Sequence, residues 1–142
     1  MKKLDKNIMG TAAILGALTI AIGAFGAHGL KELVNAEALQ SFETGVRYQM
    51  YHVFALLVLG CWGSFAGTNG MDAQRKLQNT KKWTFRFFCF GMLLFSGSIY
   101  LLALKEVLPF SIGFLGPVTP LGGLLLIIGW LRLGYGIFTL KS

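Results

Sequence analysis

The chain has 142 residues and a formal net charge of +7, with 54% hydrophobic and only 13% charged residues. A soluble domain carries about 25% charged residues, so this composition excludes a disordered chain and argues against an ordinary water-soluble globule. The length has room for one domain. A mean hydropathy of +0.62 and 19 glycines point to a chain embedded in a membrane, where glycine is more frequent than in soluble helices.

Four apolar runs follow one another. A hydrocarbon core of about 30 Å needs about 20 helical residues. Residues 8–27 meet that without a charge. Lys2 and Lys3 ahead of this run, and Ala24-Phe25-Gly26 at its end, also resemble a secretory signal peptide. The apolar stretch exceeds the usual h-region, which favours a retained helix. Residues 30–45 mix Glu32, Glu37 and Glu43 with Leu33, Val34, Leu39 and Phe42. They predict a short interfacial helix, with Glu43 and Arg47 spaced for an ion pair. The second run, 53–66, spans only if its helix begins near Val46, which brings Arg47, Tyr48, Gln49 and His52 into its first turns. Residues 67–82 are polar and contain Gly67, Asn69 and Gly70, the pattern of a loop. The third run covers 83–104. Residues 105–117 are too apolar for a free loop and are expected to lie against the outer interface. The fourth run covers 118–138, with Arg132 near enough to its end to snorkel. Continuous apolar runs of this length exclude a barrel of alternating strands.

The expected fold is all-α and integral to the membrane. Four transmembrane helices form an antiparallel bundle, with the interfacial helix between the first and second, as a single domain over residues 1–142. Lys2, Lys3, Lys6, Arg75, Lys76, Lys81, Lys82 and Lys141 lie at one side; Lys31, Arg47 and Lys105 lie at the other. The excess of Lys and Arg on cytoplasmic connections then puts both termini and the middle loop in the cytoplasm. The same charge can attract anionic lipid. No broad basic face suggests a nucleic acid partner.

Small residues let membrane helices approach closely. Ala13, Ala17 and Ala21, with Ala12 and Gly16 beside them, mark the first helix. Gly60 with Ser64 and Gly63 with Gly67 mark the second, and Gly122, Gly129 and Gly136 the fourth. These positions serve packing within one bundle or a homo-oligomer interface.

Four segments carry a family resemblance. They are Gly23-Ala24-Phe25-Gly26-Ala27-His28-Gly29-Leu30, Thr44-Gly45-Val46-Arg47-Tyr48-Gln49-Met50-Tyr51-His52, Phe95-Ser96-Gly97-Ser98-Ile99-Tyr100, and Thr119-Pro120-Leu121-Gly122-Gly123 followed by Gly129-Trp130. In this order they resemble the uncharacterised YgdD/YwdK-like family of small bacterial inner-membrane proteins. The resemblance covers nearly the whole chain. It implies a four-helix integral protein of the bacterial cytoplasmic membrane, and brings no reaction, ligand or catalytic residue to carry over.

The expected topology gathers His28, Arg47, Tyr48, Gln49, His52, Ser96, Tyr100 and Thr119 in the outer half. Buried polar groups need partners, so a converging cluster is expected. It is either a structural network or a cavity that contacts a lipid or small molecule. Tyr48, Gln49 and His52 share a helix face, as do Ser96 and Tyr100, while Ser98 points elsewhere. His52 is the expected hub, with Tyr48, Gln49, Ser96 and Tyr100 within its reach. No carboxylate falls inside the four runs, which argues against acid/base catalysis and proton-driven transport. Two histidines are too few for a closed zinc site, Cys61 and Cys89 lie away from them, and no nucleotide or haem motif is present. No cofactor is expected. The function that fits best is a binding or accessory membrane module with an outer polar cavity. An oligomeric channel or transporter for a small solute or lipid is the alternative, and an intramembrane enzyme fits least.

Overall fold

The structure is a computed structural model that describes residues 2–65 and 70–140, with every side chain in those ranges except 63–65. The packing expected of Gly63, Ser64 and Gly67, the breaking roles of Gly67 and Asn69, and the topological role of Lys141 lie outside the described residues. Within the described residues the elements are α1 (Lys3–His28), a 3₁₀ turn (Leu30–Glu32), α2 (Ala36–Phe65), α3 (Met71–Ala103), a second 3₁₀ turn (Gly113–Leu115) and α4 (Val118–Thr139). Three stretches, Lys3–Glu32, Met71–Ala103 and Gly113–Thr139, are long and apolar enough to cross a membrane. The 30 residues of α2 are also long enough, at about 45 Å by helical rise. Their hydropathy is held down by Gln49 and His52.

Two boundaries differ from the expectation. The only separate element between α1 and α2 is the turn Leu30–Glu32, and α2 runs unbroken from Ala36. Asn35 caps it, its side-chain oxygen accepting from the Ala38 amide at 2.9 Å. Gly45 does not break the helix, because Ile99 and Tyr100 of α3 pack against it. The expected loop 67–82 is largely helix: α3 begins at Met71 and is 33 residues long. Leu77, Thr80, Lys81 and Thr84 are buried on one face of it. That helical spacing is masked in the sequence by the polar residues of the other face.

The helices pack in chain order, α1 on α2, α2 on α3 and α3 on α4. α1 and α4 do not approach each other, and α2 reaches α4 through side chains alone. Ile8, Ala12, Leu56, Leu59, Phe88, Met92 and Leu126 form the larger apolar core. A smaller one gathers Leu30, Phe42 and Ala103 at the other end of the bundle. The glycines of α4 act as expected. Gly122 lies on the Phe95 backbone, Gly129 on Phe88 and Gly136 on Thr80. A methyl group at Gly122 would strike backbone atoms of α3, which cannot swing aside. By contrast Ala13, Ala17 and Ala21 of α1 face outward, while Ala12 is buried and Gly16 meets Val53.

Gly122→Ala should therefore lower thermal stability in detergent by about 1–3 kcal/mol, the usual cost of overpacking a filled core. Gly134, where an added Cβ would meet nothing within 4 Å, provides the comparison. Gly134→Ala should leave the melting temperature unchanged or raise it, since alanine favours helix by up to about 1 kcal/mol.

Candidate functional site

Polar residues at the end of the bundle opposite the chain termini form a network of paired bonds. Gln49 lies on the face of α2 that meets both neighbours. Its amide nitrogen donates to Thr19 Oγ1 of α1 at 2.8 Å, and Thr19 passes its own proton to the Leu15 carbonyl at 2.6 Å. The Gln49 carbonyl oxygen accepts from the Tyr100 hydroxyl of α3 at 2.8 Å. Ser96 Oγ donates to the Gly45 carbonyl at 2.8 Å. Ser98 faces the other way, as its helical offset requires, and shares a 2.6 Å hydrogen bond with Thr119 of α4.

His52 is 5% exposed, and both its ring nitrogens are engaged. Nδ1 lies 2.7 Å from the Tyr48 carbonyl, and Nε2 lies 3.1 Å from Trp130 Nε1. A carbonyl can only accept and an indole N–H can only donate. These partners therefore select the neutral imidazole with its proton on Nδ1. Phe88 closes over the pair, its ring centre 5.0 Å from His52 and 5.2 Å from Trp130. His52 thus has side-chain contact with α3 and α4, but its polar partner across the bundle is Trp130, not Ser96 or Tyr100. No spacing rule could have paired residues on α2 and α4.

Of the eight candidate residues, Gln49, His52 and Ser96 are buried, and Tyr100 and Thr119 are half-buried. His28 and Arg47 are exposed, and Tyr48 is 44% exposed. Tyr48 joins the network only through its carbonyl. Glu43 and Arg47 do not form the ion pair that their spacing suggested. Among the described residues the one salt bridge is elsewhere.

That salt bridge overturns another expectation. Asp5 lies inside α1 and is buried, and Lys81 of α3 is 0% exposed. Lys81 Nζ donates to Asp5 Oδ1 and, at 3.1 Å, to the Gly60 carbonyl of α2. A carboxylate therefore does fall within a stretch long and apolar enough to span. Asp5 stands ahead of the first apolar run, and Lys81 in the stretch expected to be a loop. The residue before Lys81 on α3, Thr80, accepts from Arg132 of α4 at 3.1 Å. The spacing from Gly45 to Gly60 on α2 equals that from Lys81 to Ser96 on α3. Two aligned positions on each helix thus supply both cross-links, a serine at one end and a lysine at the other. The larger apolar core lies between them.

Two recesses border the outer network. One, of about 360 Å³, is lined by Asn35, Glu37, Ala38, Ser41, Ile99, Leu102, Ala103, Lys105 and Thr119. The other, of about 240 Å³, lies between α1 and α2 along Gly23, Gly26, Ala27, Phe42, Glu43, Val46 and Arg47. Among the described residues no three metal-ligating side chains of His, Cys, Asp or Glu come together.

Breaking a buried pair leaves one charge without a partner, at about 3–5 kcal/mol, whereas replacing both partners by apolar residues is often neutral. Lys81→Met should thus destabilise by that amount, and Asp5→Leu combined with Lys81→Met should recover most of it in a thermal melt. At the other end, Trp130→Phe removes the donor to His52 Nε2. An unsatisfied buried acceptor costs about 1–3 kcal/mol. His52→Ala, which also empties volume beside Phe88, should cost at least as much by the same measurement.

The chain matches the model of a family described as "Protein of unknown function (DUF423)" over residues 22–123. A UPF0382 membrane protein of Staphylococcus saprophyticus is 39% identical, over 88% of this chain and 94% of its own. A UPF0382 membrane protein of Haemophilus influenzae is 36% identical, over 92% of each. The UPF0382 inner membrane protein YgdD of Escherichia coli is 35% identical, over 92% of this chain and 88% of its own. No solved structure matches. The family description assigns no reaction, and the aligned relatives span nearly the whole of both chains. The chain belongs to the UPF0382 (DUF423) family of membrane proteins.

Proposed function

We propose that this membrane protein is a four-span binding module of the cytoplasmic membrane, with both termini and the α2–α3 connection on the cytoplasmic side. α2 packs along both α1 and α3, so if those two cross the bilayer, α2 crosses with them. Residues near both termini and the start of α3 share one end of the bundle. Lys2 donates to Gln74 at 3.0 Å, and Lys76 to the Thr139 carbonyl at 2.7 Å. That end carries most of the Lys and Arg residues, which favours the cytoplasm.

The observation that carries the binding reading is the 360 Å³ recess at the opposite end. Glu37 and Lys105 give it one charge of each sign, Asn35, Ser41 and Thr119 add neutral polar groups, and Ile99 and Leu102 add apolar wall. This chemistry suits the zwitterionic head of a membrane amphiphile, with its chain against α3. Thr119 joins that recess to the hydrogen-bonded network through Ser98. Catalysis is less well supported, since Ser96 is bonded to a carbonyl and His52 has no free nitrogen to act as base. Transport is a second reading, favoured by the buried Asp5–Lys81 pair. The apolar core between the two polar layers argues against a conducting path through one copy.

Reporter fusions at Gly70 and at the C-terminus should report the cytoplasmic side; opposite sides would overturn the topology. Lysophosphatidylethanolamine should raise the melting temperature of purified protein saturably. Glu37→Gln combined with Lys105→Gln should abolish that shift. An unchanged shift in the double variant would overturn the binding reading, and solute flux in proteoliposomes would favour transport.

A further inference from the structure

We propose a second lipid site, at the basic end of the bundle, that takes an anionic phospholipid on the outward face of α3. Asn79, Lys82, Trp83, Arg86, Phe90 and Leu93 are all exposed along α3. Their offsets of three and four place them on one stripe. It is polar and cationic at the end that the proposed topology puts in the cytoplasm, and wholly apolar toward the middle. That gradient is the profile of a phospholipid, headgroup first and acyl chain after. A recess of about 450 Å³ lies on it, lined by Trp83, Arg86, Phe87, Phe90 and, from α4, Leu125.

Charge specifies the occupant. Arg86 is exposed among aromatic side chains on a face open to lipid, where an unpaired cation is costly. Its guanidinium lies 5.1 Å from the centre of the Trp83 ring, on the side toward the start of α3. Lys82 lies one turn away on the same face, and like charges four residues apart repel. Among the described residues no carboxylate bridges either cation, and Asp5, the buried acid at this end, is bonded to Lys81. The Trp83 indole N–H, a donor only, has no acceptor among the described residues. A lipid phosphate at this point would accept from Arg86 and Trp83, relieve the repulsion with Lys82, and lay its acyl chain over Phe87, Phe90 and Leu125. The zwitterionic recess proposed above lies at the other end and shares none of these residues. Each site can therefore fail without the other.

The test titrates purified full-length protein in neutral detergent with dioleoylphosphatidylglycerol, dioleoylphosphatidylcholine or inorganic phosphate. Bound lipid is counted by native mass spectrometry and melting temperature is followed in parallel. Phosphatidylglycerol should bind saturably and raise the melting temperature more than phosphatidylcholine. Arg86→Leu should weaken it about fivefold, as expected for one basic residue near a lipid surface. Arg86→Lys should restore part of the affinity. Lys31→Leu, an equal charge loss at the other end of the bundle, should leave it unchanged. Should Arg86→Leu fold poorly, Trp83→Phe, which removes only the indole donor and part of the ring, should lower the bound count. Equal phosphatidylglycerol binding by the parent, Arg86→Leu and Trp83→Phe would overturn the proposal. So would equal losses in Arg86→Leu and Lys31→Leu, or a stabilisation reproduced by inorganic phosphate alone.

Discussion

A buried ammonium in an apolar bundle persists only where other elements bring it a counter-charge and a carbonyl. Lys81 has both, and they come from different helices: Asp5 from α1 and Gly60 from α2. The pair therefore joins three helices at a single point. It fixes the axial position of α1 against α3, which hardly touch otherwise. Gly60 is suited to its place twice over. Its carbonyl accepts from Lys81, and its lack of a side chain lets Met9 and the Asp5 backbone come close. The registers of the remaining contacts follow from that anchor.

The opposite end repeats the solution with uncharged groups. Gln49 bridges α1 and α3 with the two ends of one amide, Ser96 bonds Gly45, Ser98 bonds Thr119, and His52 bonds Trp130. Each buried polar group of this layer therefore answers another across a helix pair. Hydrocarbon offers such groups no alternative partner. Sliding α3 by one residue against α2 would break the serine and lysine links together. Between the layers, contact is by shape: the glycines of α4 seat on Phe95, Phe88 and Thr80. That seating explains why α3 and α4 form the most extensive pair.

This arrangement leaves the polar recesses away from the apolar core. Apart from Thr84, whose buried hydroxyl has no partner among the described residues, the buried polar side chains are hydrogen-bonded, so a ligand would have to displace existing bonds to reach them. Open, mixed-polarity surfaces include the recess by Glu37 and Lys105, the one by Glu43 and Arg47, and the cationic stripe by Trp83 and Arg86. The proposed lipid-binding reading draws on those surfaces, and the apolar core argues against a solute path through one copy.

Apolar run length alone determined that the chain is helical and embedded, because a hydrocarbon slab demands unbroken helices of set length. The seven-residue glycine spacing also marked one stripe of α4 for close approach, and the structure shows that α3 covers it. Depth along each helix grouped Gln49, His52, Ser96, Tyr100 and Thr119, but also the exposed His28, Arg47 and Tyr48. It did not give their partners. Depth and face within one helix do not say which neighbour lies opposite, so the Trp130 bond of His52 came only from the way α2 and α4 flank Phe88. The Asp5–Lys81 pair escaped for a related reason. Both residues stand in charged, polar stretches that read locally as solvated ends. Only the tertiary structure, which extends α1 and α3 beyond the apolar runs and packs them against Gly60, withdraws the two charges from solvent and makes each the condition for burying the other.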